Sequence, residues 1–269
     1  MRYVAVVAVA AGILMPAMSF AQAPVTRAWT LLEQGASSSS DDTRGNAVEA
    51  LGLLVRSTRA RRLVETALND KDPAVRAAAA TSLGQIGLRA SIPPLTESVN
   101  DKDAEVVIAA AGALLRLGDL SAYHVYYAVL TGERKARKPL LESQLKLLKD
   151  PATLARVGFE QGVGFIPFGG MGLKVVKSFR QDNVSPVRAA AAQRLAADPD
   201  PDSGRALVAA TSDEKWLVRA SALSALATRG DRSLVPAIVA HLDDENETVR
   251  FNAAAAIARL DGGRAPARP

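Results

Sequence analysis

A motif that recurs at a fixed spacing constrains this chain more than any other feature of its sequence. An aspartate is followed six residues later by an arginine in five pairs: Asp70/Arg76, Asp150/Arg156, Asp182/Arg188, Asp213/Arg219 and Asp244/Arg250. The last three aspartates are 31 residues apart, and Asp101 lies 31 residues after Asp70, although Val107 replaces the arginine of that copy. Self-similarity at such a period is typical of repeat proteins, in which one structural unit is stacked several times.

The residues that begin just before the arginine of each pair predict a helix. Apolar residues recur there every four positions, which places them on one helix face. The clearest stripes are Val75/Ala79/Leu83, Val187/Ala191/Leu195 and Val218/Ala222/Leu226. A second helix is predicted before each of these helices, and its predicted ranges are 59–68, 93–99, 204–211 and 232–242. One hairpin cannot cover its own apolar face. The sequence therefore predicts an all-α fold, a right-handed α-solenoid of stacked helical hairpins with a period of about 31 residues.

The Asp-x5-Arg motif and the segment "VRAAAA" that accompanies it resemble the HEAT-like repeat family, in its short bacterial form named after phycobilisome lyases. The resemblance covers roughly residues 40–260. It implies that the aspartates and arginines form a ladder between successive repeats. We assign the ladder residues a structural role, because the same pair recurs in nearly every repeat rather than at one site.

The two ends of the chain differ in composition from the repeats. A basic start is followed by an uncharged run of 12 residues, Val4–Met15, and by small residues at Ser19–Ala21. This order is typical of a signal peptide. We predict an exported protein, periplasmic or secreted after cleavage near Ala21, with an uncleaved anchor as the alternative. The predicted parts are a signal peptide (1–21), N-terminal repeats (22–120), an irregular central segment (121–181), C-terminal repeats (182–260) and a disordered tail (261–269).

The central segment contains the stretch most unlike a repeat, "GVGFIPFGGMGLKVV" at 162–176. Its glycines alternate with apolar residues, of which the candidate contact residues are Phe165, Ile166, Phe168 and Met171. It does not match a phosphate-binding loop, because Lys174 neither follows a glycine directly nor precedes a hydroxyl residue. Two interpretations stay open. Its aromatic residues either seal an irregular junction between the two arrays, or they form a protruding loop that docks a protein or a membrane surface.

The charged and titratable residues exclude several classes of function. The net charge of +5 falls to about +4 without Arg2 and is spread thinly, so no nucleic acid partner is expected. The chain has no cysteine and two histidines, His124 and His241, which lie in different repeats. We therefore expect no metal, no small-molecule cofactor and no enzymatic activity, and we expect His124 to be a packed helix residue. The one dense basic run is a loop containing Arg134, Lys135, Arg137 and Lys138.

These features predict a non-catalytic exported HEAT-repeat scaffold that mediates protein–protein interaction with a partner of unidentified kind. The alternative is a peripheral membrane or envelope adaptor. It would use the apolar loop 165–173 and the basic loop 134–138, which suits lipid head groups.

Overall fold

In the computed structural model, the described residues are 23–131 and 184–262. Within these ranges the chain forms helices and turns and no strand. The α-helices are α1 Pro24–Ala36, α2 Asp41–Leu51, α3 Thr58–Ala67, α4 Pro73–Ile86, α5 Ile92–Ser98, α6 Ala104–Arg116, α7 Ala122–Thr131, α8 Ser185–Leu195, α9 Pro201–Ala210, α10 Trp216–Arg229, α11 Val235–Ile238 and α12 Glu247–Gly262. Short 3-10 helices lie at Arg89–Ser91, Arg232–Leu234 and Val239–Asp243.

Local sequence signals set where these helices begin and end. The Asp72 carboxylate accepts hydrogen bonds from the first backbone N–H groups of α4, at 2.8 and 3.2 Å, and Pro73 occupies the first helical position. Asp103 caps α6 in the same way. Both devices satisfy or remove N–H groups that a helix start leaves unpaired. Gly87 and Gly230 end α4 and α10 in the left-handed conformation, with φ of 75° and 78°, which glycine adopts without strain.

The helices form stacked hairpins. We call the helix that follows the motif aspartate, or the equivalent position of its repeat, a motif helix, and the helix before it a leading helix. The motif helices are α2, α4, α6, α8, α10 and α12. Motif helices of consecutive repeats pack side by side, α4 on α6 and α8 on α10, and α4, α10 and α12 are buried along most of their length. Small residues allow close approach: a Cβ on Gly84 would lie 2.9 Å from the Cα of Ala113. The predicted all-α solenoid of stacked hairpins is confirmed.

The order of the hairpins in space differs from their order in the chain. The last motif helix, α12, packs against α1 and α2 as well as against α10. The motif helices therefore follow one another as α6, α4, α2, α12, α10 and α8. The first and last hairpins of the described chain meet in the middle of the stack. In the described residues, the two arrays thus join through α1, α2 and α12.

An aromatic side chain fills the contact between the first and last hairpins. Phe251 is 3% exposed and stands one residue after the motif arginine, where three other repeats have Ala77, Ala189 and Ala220. A Cβ on Gly35 would lie 2.4 Å from the Cζ atom of this ring. Glycine at this point of α1 is therefore required for the phenylalanine to fit between the hairpins.

Polar contacts accompany this phenylalanine along one side of α12. Both carboxylate oxygens of Glu247 accept hydrogen bonds from α2, one from the Thr43 hydroxyl and one from the Asn46 amide, each at 2.9 Å. Arg27 of α1 forms an ion pair with Asp243. Successive contacts four residues apart lie on one face of a helix. This face of α12, together with the turn before it, is therefore specific for the first hairpin.

Two predictions made from sequence need correction. The segment 232–242, predicted as one helix, is divided into a 3-10 turn, the four-residue α11 and a second 3-10 turn. His124 lies on helix α7 and is exposed rather than packed.

Candidate functional site

The ladder residues connect each motif helix to the next repeat. The motif arginine of one repeat binds the aspartate of the following repeat, 25 or 26 residues later in sequence. The pairs in the described residues are Arg44–Asp70, Arg76–Asp101, Arg188–Asp213 and Arg219–Asp244. Asp150, Arg156 and Asp182 lie outside the described residues.

The pair between Arg219 and Asp244 shows the geometry in full. Nε and Nη2 of Arg219 donate to the two carboxylate oxygens at 2.9 and 2.8 Å, and both side chains are 9% exposed. Nη1 donates to the carbonyl oxygens of Asp213 and Glu214 in its own repeat, at 2.9 and 3.1 Å. The hydrogen bond with Asp244 raises the pKa of Arg219, and the paired arginine keeps the pKa of Asp244 low although burial opposes this. These side chains use their hydrogen bonds within the fold and thus hold repeats together.

The first ladder arginine in the chain, Arg44, deviates from the motif, whereas the last, Arg250, keeps it. Arg44 was missed because Ser38 stands six residues before it in place of aspartate, but it lies 32 residues before Arg76 and could have been found by that spacing. It donates to the Ser38 carbonyl at 3.0 Å and to Asp70 at 2.7 and 2.8 Å. Arg250 donates to the carbonyl of Asp244 at 2.8 Å.

The loops predicted as contact sites lie outside the described residues. They are the apolar residues Phe165, Ile166, Phe168 and Met171, and the basic residues Arg134, Lys135, Arg137 and Lys138. Their roles stay predictions.

An apolar face of α7 is exposed near one end of the stack of motif helices. Leu120, Tyr123, Tyr127 and Leu130 are 67%, 61%, 61% and 86% exposed. Their spacing of three, four and three residues places them on one side of the helix and its preceding turn. Tyr126 is half-buried and packs against the core, and burial raises its pKa. We call the four exposed residues the α7 face.

A pocket of about 560 Å³ lies where the carboxyl ends of the motif helices converge. Each of the six described motif helices, or the turn directly after it, contributes the residue that lies nine positions after the motif arginine or its replacement Val107. These residues are Leu53, Gln85, Arg116, Ala197, Thr228 and Arg259. The pocket therefore contains side chains from both arrays. Sequence reasoning missed it, although this repeat position could have been compared once the register was known.

Three arginines line the pocket: Arg116, Arg194 and Arg259. Each lies in the last turn of its helix, where a positive charge is favourable. Arg259 is half-buried, and its Nη1 donates to the carbonyl oxygen of Leu53 at 2.9 Å, which ties α12 to the end of α2. Burial lowers the pKa of Arg259, which nevertheless stays charged at neutral pH. No aspartate or glutamate is among the described residues that line the pocket.

Two kinds of site are absent from residues 23–131 and 184–262. No group of three or more His, Cys, Asp or Glu side chains in these ranges is placed to hold a metal ion. No helix in them combines the length and the apolar character that a membrane span requires.

The stacked hairpins and the ladder define an α-solenoid repeat protein. The chain matches the family model of HEAT repeats over residues 30–116 and 204–268, which together are more than half of its 269 residues. It therefore belongs to the HEAT-repeat family, and the resemblance seen in its motifs is confirmed.

The chain is also similar to solved helical-repeat structures. The complex of CpcE and CpcF of phycocyanin lyase from Nostoc sp. PCC7120 is 22% identical, with 93% of this chain and 98% of that chain covered and a TM-score of 0.36. Human deoxyhypusine hydroxylase in complex with glycerol is 19% identical, with 87% and 88% covered and a TM-score of 0.32. Designed armadillo repeat protein YIII(Dq)4CqI is 16% identical, with 85% and 98% covered and a TM-score of 0.26. These levels of similarity carry no inference about function. No curated protein sequence matches significantly.

Proposed function

We propose that this protein is a non-catalytic exported scaffold that binds another protein through the α7 face. Membership of the HEAT-repeat family supports an interaction role, because stacked helical hairpins offer extended surfaces for partners. The single observation that carries the proposal is the exposure of Tyr123 and Tyr127 beside two exposed leucines on one helix face.

The chemistry of the α7 face suits a protein partner. Among the described helices α7 lies at one end of the stack, where a solenoid normally presents a polar outer surface that keeps the protein soluble. The α7 face instead presents four large apolar side chains, between 61% and 86% exposed. Tyrosine is enriched among residues that contribute most to protein binding, because its ring buries a large area and its hydroxyl still reaches a polar partner.

Export is part of this proposal. The basic start and the apolar run Val4–Met15 support it. Helix α1 begins at Pro24, three residues after Ala21. Cleavage near Ala21 would therefore leave α1 complete, and with it the contacts between α1 and α12.

The proposal is tested with a double variant, Tyr123→Ser with Tyr127→Ser. Wild-type and variant proteins are cross-linked in the intact cell envelope, and the captured protein is identified by mass spectrometry and purified. We then expect at least a tenfold loss of affinity for the double variant, with the unfolding temperature nearly unchanged, because both tyrosines are exposed.

Val184→Ser with Val187→Ser is the matched control, because these residues are 62% and 54% exposed in the array on the other side of the central segment. This control should bind as the wild type does. Equal affinity of the wild type and the tyrosine variant would contradict the proposal. Loss of binding to anionic liposomes, with protein capture unchanged, would favour the membrane adaptor instead.

A further inference from the structure

Helix α8 has an apolar face that no described residue covers fully. It carries the same apolar stripe as the other motif helices, at Val187, Ala191 and Leu195. Val187 is 54% exposed, Ala191 is exposed and Leu195 is partly buried. We call these three residues the α8 face. The corresponding stripes of α4, α6, α10 and α12 are at most 1% exposed, so the same residue types are covered everywhere else in these repeats.

The neighbours of α8 explain why its stripe differs. Each of the four fully covered motif helices packs on its own leading helix: α4 on α3, α6 on α5, α10 on α9 and α12 on α11. In the described residues, α8 packs on α9 and α10, which both come after it in the chain. The leading segment of its own repeat would end just before Asp182, outside the described residues. The α8 face is therefore the surface that a leading segment covers in the other repeats.

One buried position is common to the leading helices. Six residues before the motif aspartate, or its equivalent Asp101, stands an aliphatic residue that is 0% or 1% exposed. These residues are Val64, Leu95, Leu207 and Ile238. The same spacing before Asp182 leads to Val176. Both α3 and α9 extend from twelve to three residues before their aspartates, and the same positions before Asp182 are 170–179.

We propose that the chain's own segment 170–179 covers the α8 face, with Val176 in the place of the buried aliphatic residue of a leading helix. The segment ends six residues before Ser185, the first residue of α8, so its connection holds it near the face at a high effective concentration. It also supplies apolar side chains, among them Leu173 and Phe179. This assigns the end of the glycine-rich stretch to the fold. The inference is independent of the proposed function, because the α7 face lies at the other end of the stack.

Thiol labelling of single-cysteine variants tests the cover, because the chain has no cysteine of its own. Ala191→Cys on the α8 face and Ala206→Cys on α9 are a matched pair, since both alanines are exposed among the described residues. In the folded protein, Ala191→Cys should react with a maleimide at least about tenfold more slowly than Ala206→Cys, because labelling then requires local opening. The two variants should react equally fast in urea.

Val175 and Val176 provide a second matched pair, which tests the register. In the described repeats the residue seven positions before the aspartate is never buried, so Val175 is the control for Val176. In the Ala191→Cys protein, Val176→Asp should raise the labelling rate to that of Ala206→Cys. Val175→Asp should leave the rate within about twofold, as for a surface substitution. Unchanged helical circular dichroism shows that the stack stays folded in both variants.

Three results would overturn the proposal. The first is equal labelling of Ala191→Cys and Ala206→Cys in the folded protein. The second is an equal effect of the two valine substitutions. The third is protection of Ala191→Cys that disappears on dilution, because a second copy of the chain would then cover the α8 face.

Discussion

Replacing Gly35 by alanine tests whether the first and last hairpins pack on each other. Gly35 is the penultimate residue of α1, and a Cβ there would lie 2.4 Å from Cζ of Phe251 and 2.8 Å from Cβ of Ala47. Ordinary carbon contacts are about 3.5–4.0 Å, so the first of these distances is about 1 Å too short. Phe251 and Ala47 are 3% and 0% exposed, so neither side chain has space to move into solvent.

The expected loss of stability follows from two opposing effects. Alanine favours a helix over glycine by up to about 1 kcal/mol. Overpacking a well-filled core costs about 1–3 kcal/mol. We therefore expect Gly35→Ala to lower the free energy of unfolding by about 1–2 kcal/mol, because the overpacking cost exceeds the helical gain.

Gly45 in the interior of α2 is the matched control. The nearest atom to a Cβ there is the Val75 Cγ2 at 3.9 Å, an ordinary contact. Gly45→Ala should therefore raise the free energy of unfolding by about 0.5–1 kcal/mol. The two substitutions are the same chemical change, and the structure predicts opposite signs for them.

The assay is urea unfolding followed by helical circular dichroism, with Phe251→Leu added as a second site. Leucine removes the ring atoms that the new methyl would meet. In the double variant the penalty of Gly35→Ala should shrink, with a coupling energy of about 1 kcal/mol or more. If Gly35→Ala is as stable as the wild type, or if the two sites show no coupling, the described contact between α1 and α12 is refuted.

Two further predictions concern the ladder and pH. Arg219→Ala should lower the free energy of unfolding by about 3 kcal/mol, because it leaves a buried carboxylate unpaired. Arg232→Ala, at a half-exposed pair with Asp261, should lower it by less than about 1 kcal/mol. Equal losses of the two variants in urea unfolding would contradict a stabilising ladder. The pKa of Asp70 is lowered mainly by its arginine hydrogen bond, and that of Asp244 is low although burial opposes it. Such groups stabilise the fold above their unfolded pKa of about 4, so the urea midpoint should fall as the pH drops below about 4. Burial lowers the pKa of His241, so a smaller decline should begin below about pH 6.5 and disappear in His241→Gln.

The repeating part of the fold could be predicted from sequence because it depends on local patterns. The apolar spacing in Val218, Ala222 and Leu226 specifies a helix and its buried face without knowledge of any distant residue. The recurrence of aspartate and arginine indicated the stacking and the ladder. The identity of each pair followed less directly, since the arginine binds the aspartate of the next repeat.

The prediction of contact sites from composition was less complete. Unusual glycine and aromatic content directed attention to 162–176, which lies outside the described residues. The exposed α7 face was missed because tyrosine and leucine also occur in protein cores, so the residue type does not show that Tyr123 and Tyr127 are exposed. Only packing decides which side of a helix is covered.

The sequence by itself determined the hairpin, its period and the family, since each depends on spacing within about 31 residues. The tertiary structure alone decided that the first hairpin packs on the last, and that six equivalent positions surround one pocket. Every repeat presents a similar alanine-rich face, so the pattern does not specify which faces meet. The choice is made by single residues far apart in the chain, Phe251 against Gly35 and Glu247 against Thr43 and Asn46. The pocket arises from how successive helices are oriented, a property of the stack that no single repeat contains.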